Sequence, residues 1–211
     1  MRKIRIVLWL AVATVVGLTA GYMALRTGDE PQSQPARSAG DVARELITGE
    51  FSLVDQTGRP VTDKDFDGSW RLVFFGYTHC PDICPTTLST MALVLDLLGD
   101  DAAKVQPLFI TVDPARDTPA VLADYVAAFH PRLIGLTGSA EQIATAAKAY
   151  RAYYSKAPLP GQETVDPDGD YAMDHTAYLY LMNPHGRYAK VFAPTDTAEK
   201  IAADIRPRLQ D

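Results

Sequence analysis

The chain is poor in the residues that build metal clusters. Its 211 residues include two cysteines and four histidines, and both cysteines, Cys80 and Cys84, stand in the stretch GYTHCPDICP, residues 76–85. No second cysteine pair and no closely spaced histidine pair accompanies them, so the four ligands of a structural zinc site are not in sight. Acid is missing from the first 26 residues, and all charge is missing from Ile6 to Leu25. An uncharged run of roughly 20 residues is what a bilayer core requires. It exceeds the roughly 7–15 residues of a cleaved signal's apolar core, LTAGYMA is a poor cleavage site, and no cysteine lies there to take a lipid. The expectation is an uncleaved anchor over residues 6–25. Arg2, Lys3 and Arg5 precede it, while Asp29 and Glu30 soon follow Arg26, which puts residues 1–5 in the cytoplasm and the rest across the membrane.

Positive charge is scarce beyond the anchor. Without residues 1–26 the chain keeps 16 Lys and Arg against 26 Asp and Glu, a net charge of about −10. Such a surface repels phosphates, which argues against nucleic acid and favours a basic or cationic partner. In an exported domain a lone cysteine pair oxidises unless something keeps it reduced, so both redox states matter.

No internal repeat is present, and the one biased tract is residues 27–40, TGDEPQSQPARSAG, too polar and too rich in Pro, Gly and Ser to bury a core. Residues 26–44 therefore read as a flexible tether and 45–211 as one domain. GEFSLVDQTGRPVTDKDF alternates Phe51, Leu53 and Val61 with polar residues around Thr57-Gly58, which predicts an opening β-hairpin. RLVFFGY, VQPLFITVD and LIGLTG are apolar runs of buried-strand length. PTTLSTMALVLDLLG, TPAVLADYVAAFH and SAEQIATAAKAYRAYY between and after them have helical spacing, the last two opened by Thr118-Pro119 and by Ser139. That alternation implies a largely parallel sheet with covering helices. Residues 155–174 read as a long Pro/Gly/Asp-rich loop, HTAYLYLMNPHGRYAKVF as a hairpin turning at Asn183-Pro184-His185-Gly186, and TAEKIAADIRPRLQ as a closing helix.

Cys80 and Cys84 sit where a strand passes into a helix. Because Pro85 suits a first helical position, Cys84 reads as the N-cap with Cys80 in the preceding loop; a helix starting at Pro81 would instead place them one turn apart, with Cα atoms roughly 6 Å apart. Either arrangement lets the sulfurs meet, and the positive end of the helix dipole favours thiolate. Thiolate is both a nucleophile and a soft-metal ligand. Copper(I) accepts two sulfurs, and an added imidazole would let the site also hold copper(II). Of the histidines, His79 is expected to point away from Cys80, His130 to cap a helix C-terminus and His185 to occupy a turn. His175 begins a strand where loops around a sheet converge. Asp82 is a candidate oxygen donor, Asp174 a candidate partner for His175, and Met173 and Met182 read as packing residues. In VDPARDTP, Asp113-Pro114 turns the chain and Asp117 or Thr118 caps the next helix.

Three stretches in order, GYTHCPDICP, ITVDPARDTP and MDHTAYLYLMNPHG, resemble the Sco/SenC family of copper-delivery proteins, with the likeness running over residues 45–209. The resemblance implies a thioredoxin-like α/β fold, here with an N-terminal β-hairpin extension and one transmembrane helix before it. It implies Cys80, Cys84 and His175 as copper ligands. It also implies a metallochaperone rather than an enzyme, held in the inner membrane with its domain in the periplasm, and cytochrome c oxidase subunit II as partner, whose binuclear copper centre it helps to assemble by delivering metal or reducing cysteines. Another copper chaperone or a thiol reductant would act upstream. An exported thiol–disulfide oxidoreductase independent of copper is the alternative, although such proteins usually separate their cysteines by two residues, not three. A peroxidase of the same broad fold would make little use of so close a second cysteine.

Overall fold

A computed structural model of the chain describes residue 9 and residues 14–19, 21–23, 45–166 and 169–210. These fall into two units, one within 1–37 and one within 38–211. In the first, residues 14–19 and 21–23 are helical. The tether expected over 26–44 lies outside the described residues, and so does much of the anchor expected over 6–25. Among the described residues, the helical stretch apolar and long enough to cross a bilayer is Ile83–Lys104. It is a core helix, burying Leu88, Met91, Val94, Leu95 and Leu98.

The second unit is built on a seven-stranded sheet. Its opening hairpin pairs β1 (Ser52–Asp55) with β2 (Pro60–Thr62), and Phe51, Leu53 and Val61 turn inward as the alternation predicts. Next come β3 (Trp70–Gly76), α1 (Ile83–Leu98), β4 (Val105–Thr111), α2 (Pro119–Ala127), β5 (Ile134–Thr137) and α3 (Ala140–Tyr150). β6 (Tyr154–Ala157), β7 (Ala172–His175), β8 (Leu179–Met182), β9 (Tyr188–Phe192) and α4 (Ala198–Arg208) complete it. The strand order is β2-β1-β5-β4-β3-β8-β9, with β3, β4 and β5 parallel and the flanking strands antiparallel. Leu72, Val73, Phe74 and Phe75 are wholly buried along β3, because a central parallel strand is covered on both faces and takes a continuous apolar run. α1 packs on α4, α2 on β5 and α3 on β1.

Three local expectations are corrected. α3 is capped by Ser139 as expected but stops at Tyr150, because Arg151 takes a left-handed conformation (φ 55°) and turns the chain out of the helix. Tyr154 instead enters β6, which pairs with β7 in a separate two-stranded sheet, so the ends of the supposed loop 155–174 are paired strands. YSKA and AMDH are too short and too polar to announce themselves. α2 ends at Ala127, and His130 does not cap it; its Nδ1 accepts from the Arg132 amide at 3.1 Å.

Candidate metal centre

β3 delivers the chain to the site at Gly76. A tight turn follows, with the Cys80 amide donating to the Tyr77 carbonyl at 3.3 Å. α1 begins at Ile83 with Asp82 in the N-cap position, so Cys84 lies inside the first turn and is not the cap. Pro85 is tolerated one residue further in because first-turn amides have no intrahelical acceptor, and the missing N–H costs nothing there. The Cys84 amide is one of those unpaired donors, and it points at Cys80 Sγ at 3.4 Å. Gly76 makes room for the second sulfur: a Cβ there would lie 2.8 Å from Cys84 Sγ and 2.9 Å from Phe74 and Phe109.

His175 closes the arrangement from β7, as that strand's last residue and not the first residue of the next hairpin. Its Nε2 lies 3.3 Å from Cys84 Sγ, and its Nδ1 lies 3.2 Å from the Thr176 carbonyl. A carbonyl can only accept, so Nδ1 carries the proton and the Nε2 lone pair faces the sulfurs. Phe74 and Tyr77 meet the imidazole edge-on at 5.9 and 5.8 Å. The three donor atoms, Cys80 Sγ, Cys84 Sγ and a ring nitrogen of His175, all lie within 4.8 Å of one another. Both cysteines are free and buried, beside a cavity of about 610 Å3 lined by Tyr77, Cys80, Ile83, Tyr171, Met173 and His175.

The electrostatics divide the two thiols. A hydrogen bond from the Cys84 thiol draws the Cys80 pKa down to about 4 against the opposing effect of burial, helped by the Asp82 and Cys84 amides. The same bond to the Cys80 thiolate, then burial, push the Cys84 thiol far up. In the metal-free site Cys80 is thus the thiolate and Cys84 keeps its proton. Two soft sulfurs and one neutral imidazole fit a soft, low-coordinate cation, which would displace that proton.

Other candidates stay outside this cluster. His79 is exposed, on the rim of the cavity, with its Nδ1 3.1 Å from the Thr78 hydroxyl; His185 sits in the β8–β9 turn. Asp82 also lines the cavity, but its carboxylate accepts from the Thr86 hydroxyl, at 3.5 Å. Asp174 is exposed and points away from His175, whose orienting partner is the Thr176 carbonyl. Met182 is wholly buried and Met173 nearly so, as packing residues should be. Thr118 caps α2, whereas Asp117 turns inward to other partners. The space-making role of Gly76 and the contact of Tyr77 escaped the sequence reading, although both lie in the GYTHC stretch that first drew notice.

Comparison with known proteins gives one answer throughout. The sequence profile of the SCO1/SenC family matches residues 40–210. The bovine (Bos taurus) protein SCO2 homolog, mitochondrial, is 44% identical over 195 residues, covering 92% of this chain and 71% of the relative. Protein sco1 of Schizosaccharomyces pombe is 40% identical over 200 residues, covering 94% and 74%. Among solved structures, Bradyrhizobium japonicum ScoI with copper bound superposes with a TM-score of 0.68 at 48% identity, over 76% of this chain and 98% of that one. Yeast Sco1 with copper bound gives 0.70 at 37%, over 78% and 89%. The thioredoxin-like α/β class expected from the sequence is the class these neighbours share.

Proposed function

The chain belongs to the SCO1/SenC family, and on that premise we propose that it is a membrane-anchored copper-binding protein that serves the assembly of cytochrome c oxidase. Cys80, Cys84 and His175 are its copper ligands. The observation that carries the reading is the convergence of their donor atoms within 4.8 Å of one another. Two thiolates suit copper(I), and the imidazole extends the donor set to copper(II). Related proteins solved with copper bound support the choice of metal.

Residues 6–25 anchor the chain, with 1–5 in the cytoplasm and the domain of 45–211, on its tether of 26–44, in the periplasm. There it serves subunit II of cytochrome c oxidase. Copper is the cargo in one form of the task. In the other, Cys80 and Cys84 pass two electrons to an oxidised cysteine pair of the subunit, with the Cys84 proton and one from water completing the two thiols formed there, and are left as a disulfide for a thiol reductant to restore. A further copper chaperone recharges the site in the first form.

The test mixes the copper-loaded chain with reduced, copper-free subunit II, and the reduced, copper-free chain with oxidised subunit II. Delivery predicts that the absorption of the binuclear centre develops in the first mixture; thiol reduction predicts loss of the subunit's disulfide in the second. If neither occurs, the proposed client is wrong. The alternative, a copper-independent oxidoreductase, uses the cysteines alone and gives His175 no task; turnover of a model disulfide unaffected by copper chelation would favour it.

A further inference from the structure

The stretch VDPARDTP, residues 112–119, supplies no metal donor, yet it grips both halves of the site. Asp117 is wholly buried. It accepts from the Thr78 amide at 3.0 Å, the Thr78 hydroxyl at 2.6 Å and the Thr111 hydroxyl at 2.6 Å, and Thr78 stands two residues before Cys80. Its own carbonyl accepts from the Thr137 hydroxyl at 2.9 Å, which ties this grip to β5.

The other half is held from the same loop. Asp113, also buried, is fixed by its amide to the Thr111 hydroxyl at 2.9 Å. It accepts from the Tyr171 phenol at 2.8 Å and pairs with Arg116. Arg116 Nη1 in turn donates to the Tyr171 carbonyl at 3.0 Å, and its guanidinium lies 3.9 Å from the centre of the Tyr171 ring. Lys156 Nζ lies 3.8 Å from the same ring. Tyr171 is the residue immediately before β7, the strand that ends in His175.

Something has to fix that strand. β6 and β7 form a two-stranded sheet of four residues each, apart from the main sheet, and an isolated two-stranded hairpin is marginally stable. Only Met173 of its eight residues is buried. Charge-assisted hydrogen bonds to a phenol and to the adjoining backbone carbonyl resist both rotation and sliding of the strand.

We propose that Asp113, Arg116 and Tyr171 form a clamp that positions His175 against the cysteine pair, while Asp117 holds the cysteine loop from the same base. The spacing between imidazole and sulfur is thereby set by a loop that binds no metal. All four are positioning residues. The inference rests on His175 being a ligand and names what keeps it in place. With the clamp closed, the nitrogen donor that copper(II) requires is in position; with it open, the hairpin drifts and leaves the two-sulfur set that suits copper(I).

The test uses the full chain in detergent, first reduced and metal-free. In Arg116→Met, hydrogen exchange of amides 172–176 is expected to rise roughly tenfold or more, with β3 and β4 unchanged. Loaded with copper(II) well below its melting temperature, the variant is expected to lose the imidazole nitrogen coupling in its electron paramagnetic resonance spectrum, yet still to bind one copper(I). Arg116→Lys, which keeps the charge beside Asp113 but not the fork to Tyr171, is expected to restore part of the coupling. Wild-type exchange and wild-type coupling in Arg116→Met overturn the clamp. If Arg116→Met fails to fold, Tyr171→Phe carries the test, since it removes one hydrogen bond and keeps the ring; unchanged exchange at 172–176 then overturns the proposal. Nitrogen coupling that survives His175→Ala would instead refute the ligand assignment itself.

Discussion

His175 Nε2 stands 3.3 Å from Cys84 Sγ across 91 residues of chain. The imidazole is already turned for the encounter, because the Thr176 carbonyl holds the proton on Nδ1. The metal-free protein therefore has its donors in place, and little ordering is left for the metal to bring about.

The opposite shifts of the two thiols make stability depend on pH. In the reduced, metal-free protein Cys80 titrates near 4, against roughly 8.5 for a free cysteine. Its folded pKa is lower than its unfolded one, so its contribution is full above about pH 8.5 and lost as pH falls toward 4. Cys84 is shifted upward, so its contribution is full at low pH and declines above about pH 8.5. Urea midpoints of the reduced protein should rise between these values and fall beyond the upper one, and the rising limb should flatten in Cys80→Ser. Alkylation at about pH 6 should mark Cys80 and spare Cys84. Equal labelling, or a flat wild-type profile, would contradict the assignment.

Gly76→Ala should damage the site without touching a donor. The added methyl meets Cys84 Sγ at 2.8 Å and two phenylalanine rings at 2.9 Å, and all three neighbours are buried. Overpacking of this kind costs about 1–3 kcal/mol. Urea unfolding should show that loss, and copper affinity should fall with it as the sulfur is pushed off position. Wild-type stability and affinity would mean that the helix shifts freely to make room.

The sequence made the strands β3, β4 and β5 legible, because continuous apolar runs between helical patterns have one ready explanation. It also made Cys80 and Cys84 legible as a pair. His175 was different: pattern set it apart from the other histidines as one that begins a strand where loops converge, and the resemblance carried by MDHTAYLYLMNPHG made it a ligand. β6 and β7 were invisible because YSKA and AMDH carry no apolar alternation, and the contacts of the adjoining Tyr171 are with the distant Asp113 and Arg116. Cys84 was misplaced by two positions because Pro85 signals a helix start without fixing which residue of the first turn it occupies.

Arg71 gives a test of the fold rather than the site. It is wholly buried in β3, its guanidinium pairs with the exposed Asp67 at 2.7 Å, and its Nε and Nη1 have no hydrogen-bond partner among the described residues. A buried charge so incompletely met contributes little net stability. Arg71→Met should be neutral or stabilising by about 1–4 kcal/mol. Asp67→Ala should cost about 1–3 kcal/mol, because it leaves the buried charge without its counter-ion. Urea unfolding of both variants checks the order, and a larger loss from Arg71→Met would contradict it.

The central claim is a three-donor copper site, and anaerobic copper titration of the reduced chain beside its His175→Ala variant tests it most directly. The wild-type chain should bind one copper with a thiolate charge-transfer band for copper(II). The variant should lose or shift that band, and its copper(II) affinity should fall by more than the roughly 10–100-fold that removing a mere outer-sphere partner costs. An unchanged band and affinity in His175→Ala would remove His175 from the site and reduce the centre to a plain cysteine pair.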